Sequence, residues 1–299
     1  FKGIDCYDPV TDTWSHYTRY GSSSNSLSHT SILSLHKDMQ GNIWVGTYYG
    51  GVNVFNPDKN NHSFYCAEPL REDCLSFPVV GKMTEDSAGN VWICTEGGGL
   101  NCYHGDTGVF SRYMYHKGDQ GTLGSNNVKS VFYRKENNRL YAGTHLGGLF
   151  VLDLKSNKGH TLHHVIGDPA SLPHEIVNDI QEYKDGIAML TQGGPVFFDP
   201  VTEKFSPLTD DPSVQKLISR EYAFETFLID SRQRMWLAVG GGGIVCVNLS
   251  SSKVTQYMAD SEKDTLTVGR YKTVHIFEDN KGDIYFSTIG AGIFKYQEK

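Results

Sequence analysis

The sequence predicts an all-β fold of the β-propeller class, and three observations carry that expectation. The first is a segment that recurs six times: an apolar residue, Trp or Tyr, an apolar residue, Gly or Ala, Thr, two or three residues, Gly-Gly, then a short apolar run. Its anchors are Thr47, Thr95, Thr144, Thr191, Val239 and Thr288, at steps of 48, 49, 47, 48 and 49 residues. A fixed period in that range marks a repeat architecture. The second is that each period holds four short runs of strand formers joined by tight turns, with no helical period between them. The third is size: one unit is too small to bury its own apolar face, so units must pack on one another. Four antiparallel strands per unit, repeated radially, make a β-propeller. A β-helix would want shorter coils, and a leucine-rich repeat a shorter period with a helical segment.

The elements follow in chain order. Gly3-Ile4-Asp5-Cys6-Tyr7 and Trp14-Ser15-His16-Tyr17 read as the last two strands of a partial blade within residues 1–20. The next unit shows the full pattern. Ile32-Leu33-Ser34-Leu35 is a first apolar run, closed by Asp38-Met39-Gln40-Gly41. Asp at the first and Gly at the fourth position are type I turn preferences. Ile43-Trp44-Val45-Gly46-Thr47 is the second strand, Tyr48-Tyr49-Gly50-Gly51 a turn, and Val52-Asn53-Val54-Phe55 the third strand. Asn56-Pro57-Asp58-Lys59-Asn60 turns again, with proline fixing φ and removing a donor, before a fourth strand at His62-Ser63-Phe64-Tyr65.

Repeats begin near residues 31, 79, 127, 176, 223 and 272, and the whole of 1–299 reads as a single propeller domain. The first turn returns at Asp86-Ser87-Ala88-Gly89 and Asp279-Asn280-Lys281-Gly282, and the third at Asp8-Pro9-Val10-Thr11-Asp12 and Asp199-Pro200-Val201-Thr202-Glu203. The chain ends after three strands of the last unit, which makes 25 strands in all. Seven four-stranded blades would need 28, so the favoured reading is a seven-blade propeller cut at both ends; a closed six-blade ring, needing 24, is the alternative. The unit around Thr191 is degenerate, because Ala188 stands where the aromatic belongs. A buried aromatic covers roughly 150–250 Å², or about 4–6 kcal/mol gross at ~25 cal/mol per Å², so this blade is expected to pack less well.

Composition narrows the function. The apolar content of 38% suits a globular chain, and the net charge of −7 argues against nucleic acid, which needs a basic footprint. No apolar run is long enough to span a membrane. No signal peptide is visible, but the chain opens in mid-blade and reads as an excised piece of a longer protein. Among the six cysteines, Cys6, Cys102 and Cys246 share a third-strand position and Cys94 takes a small-residue slot, so all four read as buried apolar residues. Cys66 and Cys74 flank one connection between blades and are placed to close a short disulfide loop.

Topology assigns the candidate site to one end. In an antiparallel blade, the first-second and third-fourth turns share one end, and the second-third turns share the other with the blade-to-blade connections. The Asp-x-x-Gly and Asp-Pro turns are stereotyped and structural. The opposite rim varies. Its turns contribute Tyr48, Tyr49, Glu96, His145 and Gln192; its connections contribute His29, Asn126, Asn127, His174, Glu175, Arg220, Tyr222, Arg270 and Tyr271. Loops on a rigid scaffold are where binding residues concentrate, and aromatics mixed with amides, His, Arg and Glu suit a hydroxyl-rich ligand. Catalytic patterns are absent: there is no Gly-x-Ser-x-Gly elbow, and the glycine runs at 97–99 and 240–243 lead into strands, not the helix N-termini that cradle phosphate. His160, His163 and His164 do not share a strand face, so no metal or cofactor is expected.

The unit Asp86-x-x-Gly89-Asn90-Val91-Trp92-Ile93-Cys94-Thr95-x-x-Gly98-Gly99-Leu100 resembles the two-component-regulator propeller repeat. The units at Trp44, Tyr141, Trp236 and Tyr285 fit well and that at Thr191 loosely, and the connections share a Ser/Thr-Leu signature, as in Gly121-Thr122-Leu123, Ala170-Ser171-Leu172 and Asp264-Thr265-Leu266. The resemblance spans essentially the whole chain. It implies the periplasmic sensor region of a hybrid two-component system, in which two seven-blade propellers precede an Ig-like domain, a transmembrane helix, a histidine kinase and a response regulator. It further implies oligosaccharide or another small polar ligand as input, with the neighbouring propeller, the Ig-like domain and a homodimer mate as partners. No kinase or receiver segment lies in this chain, so the segment itself is expected not to be an enzyme. The rival readings are a scaffold or dimerisation propeller without its own ligand site, and a carbohydrate-active lyase or hydrolase.

Overall fold

The structure is a computed structural model that describes residues 3–19, 26–57, 61–68, 71, 73–258 and 267–297, without the side chains of Asn61, Arg220 and Glu221. The turn residues 58–60 and the Asp264-Thr265-Leu266 signature therefore lie outside the described residues. The fold is an all-β propeller, and its backbone separates into two compact units, Phe1–Leu162 and His163–Lys299.

The first unit opens with a hairpin of β1 (Ile4–Asp8) and β2 (Thr13–Tyr17). Three four-stranded antiparallel meanders follow. They are β3 (Ile32–Lys37), β4 (Ile43–Thr47), β5 (Val52–Asn56) and β6 (Asn61–Tyr65); then β7 (Val80–Glu85), β8 (Val91–Thr95), β9 (Leu100–Tyr103) and β10 (Phe110–Tyr113); then β11 (Val128–Arg134), β12 (Arg139–Thr144), β13 (Leu149–Asp153) and β14 (Lys158–Leu162). The second unit has two such meanders and a three-stranded sheet. The meanders are β15 (Val177–Tyr183), β16 (Gly186–Thr191), β17 (Gly194–Asp199) and β18 (Lys204–Pro207), then β19 (Phe224–Ile229), β20 (Arg234–Val239), β21 (Ile244–Asn248) and β22 (Val254–Tyr257). The last sheet is β23 (Thr273–Glu278), β24 (Ile284–Thr288) and β25 (Gly292–Lys295). Within each unit the first strands of successive blades lie side by side, and second strands such as β8, β16 and β20 are buried along their whole length.

Two devices recur in most blades, and each explains a repeating residue. The Asp of the first turn is more than a turn former. Asp38 Oδ1 accepts the N–H groups of Gln40 (3.0 Å) and Asn42 (2.7 Å), and its Oδ2 accepts the Trp44 indole N–H at 2.7 Å. The same indole bond joins Trp92 to Asp86 and Trp236 to Asp230, each at 2.8 Å, and the Tyr285 hydroxyl reaches Asp279 at 3.2 Å. Gly41, Gly89 and Gly282 take φ of 80–82° to close these turns, a conformation only glycine adopts freely. The anchor threonine closes the other end. Its hydroxyl donates across the second-third turn, Thr47 to the Gly51 carbonyl (2.8 Å), Thr95 to Gly99 (2.7 Å) and Thr144 to Gly148 (2.9 Å). All three threonines are buried, where an unpaired hydroxyl would cost ~1–3 kcal/mol.

The Ala188 blade corrects an expectation, since it packs as fully as its neighbours. Elsewhere the second-strand aromatic faces a smaller residue on the third strand: Trp44 faces Val54, Trp92 Cys102, Tyr141 Val151 and Trp236 Cys246. Here the pair is inverted, with Ala188 facing Phe197. Volume lost from β16 returns on β17, directly opposite and on the same face. Ala188 is fully buried in a cluster that also takes Val214 and Ile218. Those two come from a short helix α1 (Pro212–Lys216) and the π-helical turn Leu217–Glu221 after it, helical structure that the sequence reading did not anticipate. The Asp211 carboxylate caps α1 by accepting the Ser213 N–H at 2.9 Å. Four other connections bury a leucine instead: Leu27, Leu75, Leu123 and Leu172.

The cysteines bring two further corrections. Cys94, Cys102 and Cys246 are buried, but Cys6 is exposed, because the β1–β2 hairpin is a two-stranded sheet that presents its faces to solvent. Cys66 and Cys74 are free thiols and not a disulfide. The Cys74 thiol points at the Arg71 carbonyl (3.3 Å), and Arg112 clamps the loop by donating to the Cys74 carbonyl at 2.9 and 3.1 Å, so hydrogen bonds close the connection that the spacing of the two cysteines also allowed a disulfide to close. Burial pushes the Cys102 and Cys246 thiols up to about 12 and also raises Cys94. Since the thiolate is the reactive form, maleimide treatment of native protein should label Cys6, Cys66 and Cys74 and spare the other three. Peptide mapping showing rapid labelling of Cys94 or Cys246 would contradict that burial.

Candidate functional site

The two ends of each blade separate as topology requires. On the variable rim, every second-third turn hydrogen-bonds the connection that enters its own blade. The backbone N–H groups of Tyr48, Glu96, His145, Gln192 and Gly240 donate to the carbonyls of Ser31, Val79, Asn127, Ile176 and Ala223, at 2.8–3.2 Å. Turn and connection are thus fixed to one another, which suits a binding surface that must hold its shape.

In the first unit, Tyr48 and Tyr49 are 41% and 61% exposed, with rings 4.5 Å apart, edge to face. Tyr49 has φ of 68°, so the turn itself aims the ring outward. Glu96 is paired with Lys129 at 3.2 Å, a rim cation that the sequence reading passed over. Asn126 is consumed by the scaffold: its carbonyl accepts from Gly97 and Gly99, and its side-chain oxygen from the Tyr115 N–H at 2.7 Å. His29 Nδ1 accepts the Ser31 N–H at 3.0 Å, which puts the neutral ring's proton on Nε2 as a donor.

In the second unit, His174 repeats that arrangement, Nδ1 accepting the Ile176 N–H at 3.1 Å. Glu175 is engaged by His163 (3.1 Å) and by the His164 N–H (2.8 Å), so it orders the connection. Gln192 is exposed beside them. Tyr222 turns inward, with its ring 5.9 Å from Phe224 and packed on the Ala188 cluster. Arg270 is exposed at the end of the 3₁₀ turn Val268–Arg270, and the ring of Tyr271 lies 6.0 Å from Phe294. The Arg220 side chain lies outside the described residues. A second rim pair that the sequence reading missed joins Lys272 to Glu225 at 2.8 Å.

The first unit also holds an open cleft of about 610 Å³, beside the first full blade. His29 and Tyr49 line it, together with Arg19, His62 and Phe64, which sequence reasoning missed. Alternation on β6 would have paired His62 with Phe64 on one face, but nothing in the sequence marked an outer strand as part of a site. Among the described residues no group of three His, Cys, Asp or Glu is placed to hold a metal ion, and no helix is long and apolar enough to cross a membrane.

Residues 26–49 match the family described as two component regulator propeller, so the chain carries a repeat of that type. No curated protein matches the chain. Many solved structures do. One is the extracellular domain of a protein described as a hybrid two component system from B. thetaiotaomicron, with a TM-score of 0.75 and 23% identity over 98% of this chain and 37% of that one. A second extracellular domain from the same organism, described as that of a one component system, gives 0.67 and 18% identity over 100% and 44%. A catalytically inactive virginiamycin B lyase from Staphylococcus aureus, solved with quinupristin, gives 0.61 and 12% identity over 89% and 84%. At these identities the likeness is one of fold. The chain spans less than half of each of the two extracellular domains.

Proposed function

We propose that this chain is a ligand-sensing propeller of an extracytoplasmic two-component sensor. It binds an oligosaccharide or a similar polar ligand on the rim where the second-third turns meet the connections, and it relays binding to a histidine kinase elsewhere in the parent protein. The observation that supports this best is the alignment of 98% of the chain with an extracellular domain described as belonging to a hybrid two component system, joined to a repeat of the regulator type at residues 26–49. In this reading the parent spans the inner membrane and places the propeller in the periplasm, next to another propeller and an Ig-like domain.

The rim supplies suitable chemistry, with aromatic faces at Tyr48 and Tyr49 and donors at His29, His174 and Arg270. Titrating this chain with a glycan panel by calorimetry tests the reading. Tyr48→Ala should weaken binding at the rim of the first unit, and Arg270→Ala at that of the second, each by about 1–3 kcal/mol, with unchanged melting temperatures. Unchanged affinity in both variants would remove this rim. Binding by the parent ectodomain alone would make the chain a scaffold, a reading that the consumption of Asn126 and Tyr222 in packing would then favour. New reducing ends or unsaturated products after incubation with polysaccharide would instead mark an enzyme.

A further inference from the structure

The cleft in the first unit has a chemistry distinct from the rest of the chain. The chain as a whole carries an excess of acidic residues, with a net charge of −7. Yet among the described residues the lining of this cleft includes no Asp or Glu. They do include Arg19, His29 and His62, with Phe64 and Tyr49 as aromatic surfaces. Arg19, Phe64 and Tyr49 are exposed, and His29 and His62 are half-buried.

The preparation of the donors is visible in the hydrogen bonds. His29 Nδ1 is occupied by the Ser31 N–H, so the neutral ring keeps Nε2–H as a donor. The wall behind it is tied down, since Ser28 N–H donates to Asn53 Oδ1 at 3.1 Å and Asn53 Nδ2 donates to Ser28 Oγ at 2.7 Å. Asn53 is 1% exposed, so this wall is anchored in the core. Gly50 packs tightly against that wall: a Cβ there would come within 2.7 Å of His29, Ser28 and Thr47. The cleft is thus preformed, of the size that small ligands use, and without a carboxylate among its described lining residues.

We infer that this cleft binds an acidic sugar, with Arg19 pairing the carboxylate of a uronic acid unit while Phe64 and Tyr49 pack on the ring. A guanidinium matches a carboxylate in charge and shape, and the absence of acidic lining removes the repulsion that would exclude an anion. A neutral sugar needs no cation, and a site built for one would carry carboxylates and amides to accept its hydroxyls. The inference rests on the sensing role proposed above and names the ligand class for one part of that surface.

Cys66 provides an internal reporter, because it lines the cleft and is exposed, while Cys74 is half-buried in the loop clamped by Arg112. The chain is titrated with digalacturonate and with the neutral digalactoside of the same linkage, following heat and the rate of Cys66 alkylation. The acid should bind at least tenfold more tightly than the neutral sugar and slow alkylation of Cys66 but not of Cys6. Arg19→Ala should abolish the preference, Arg19→Lys should retain part of it, and Lys135→Ala, an exposed cation in the β11–β12 turn at the opposite end of its blade, should leave it intact, all with unchanged melting temperatures. Equal binding of the two sugars with equal protection of Cys66 would overturn the acidic class and leave the sensing role standing. No protection of Cys66 by either sugar would overturn the cleft as the site, and the wider glycan panel then decides the sensing role separately.

Discussion

Asp230→Ala should destabilise the protein by about 3–5 kcal/mol, the largest single-site loss expected outside the aromatic core. Asp230 is 2% exposed and accepts four hydrogen bonds: from the Arg232 and Arg234 N–H groups (2.9 and 2.8 Å), from Arg234 Nε (2.7 Å) and from the Trp236 indole (2.8 Å). The Arg234 guanidinium is itself buried, lying 4.9 Å from the Trp236 ring centroid and 5.4 Å from that of Tyr296. Removing the carboxylate takes a counter-charge at 2.7 Å from a buried cation, and breaking such a pair costs several kcal/mol. It also leaves two turn N–H groups and an indole without their acceptor. The equivalent Asp279→Ala should cost much less, because that turn is more exposed and its carboxylate meets Tyr285 at 3.2 Å. Urea unfolding of both variants checks the ranking. A loss below 1 kcal/mol at Asp230 would show that the aspartate-indole contact is incidental to the blade.

Ala188→Trp restores the repeating aromatic and should nonetheless destabilise the protein, by roughly 1–3 kcal/mol or more. The space is already filled by Phe197 across the strand pair, and Ala188 has no exposed surface through which a larger side chain could escape. Phe197→Val alone should also lose stability, through the cavity left behind. Combined, the two changes recreate the Trp-opposite-Val pairing seen at Trp44 and Val54. The double variant should therefore be more stable than the sum of the single losses predicts, with a coupling of about 0.5–3 kcal/mol. Simple additivity would mean that the two side chains do not share one volume.

These two variants also mark what the sequence made legible. Period and turn residues anticipated 25 strands, the number found among the described residues, because strand alternation and Asp-x-x-Gly punctuation are local properties of the chain. The inverted pair at Ala188 was not legible, since it depends on register between two strands: Phe197 stands in plain view in the sequence, but only pairing puts it opposite Ala188. The helical connection was missed because five residues of α1 are too few to show a period. For the site, topology named a rim and placed Tyr48, Tyr49 and His29 on it. It could not show that Asn126 and Tyr222 are occupied by the scaffold, nor that Arg19 and the outer-strand pair His62 and Phe64 join His29 at one cleft, since those residues are far apart along the chain. The pairing of Cys66 and Cys74 stayed open for a similar reason: spacing measures reach, whereas the loop is closed by Arg112, which lies on β10.

The most direct test of a sensing rim is to titrate isotopically labelled protein with the tightest ligand of a glycan panel and follow the backbone amide resonances. Shifts should concentrate at residues 26–31, 48–51 and the corresponding turns and connections of the later blades, while the turns at Asp38, Asp86 and Asp230 stay still. Perturbation centred on those aspartate turns, or no perturbation from any glycan tested, would contradict it.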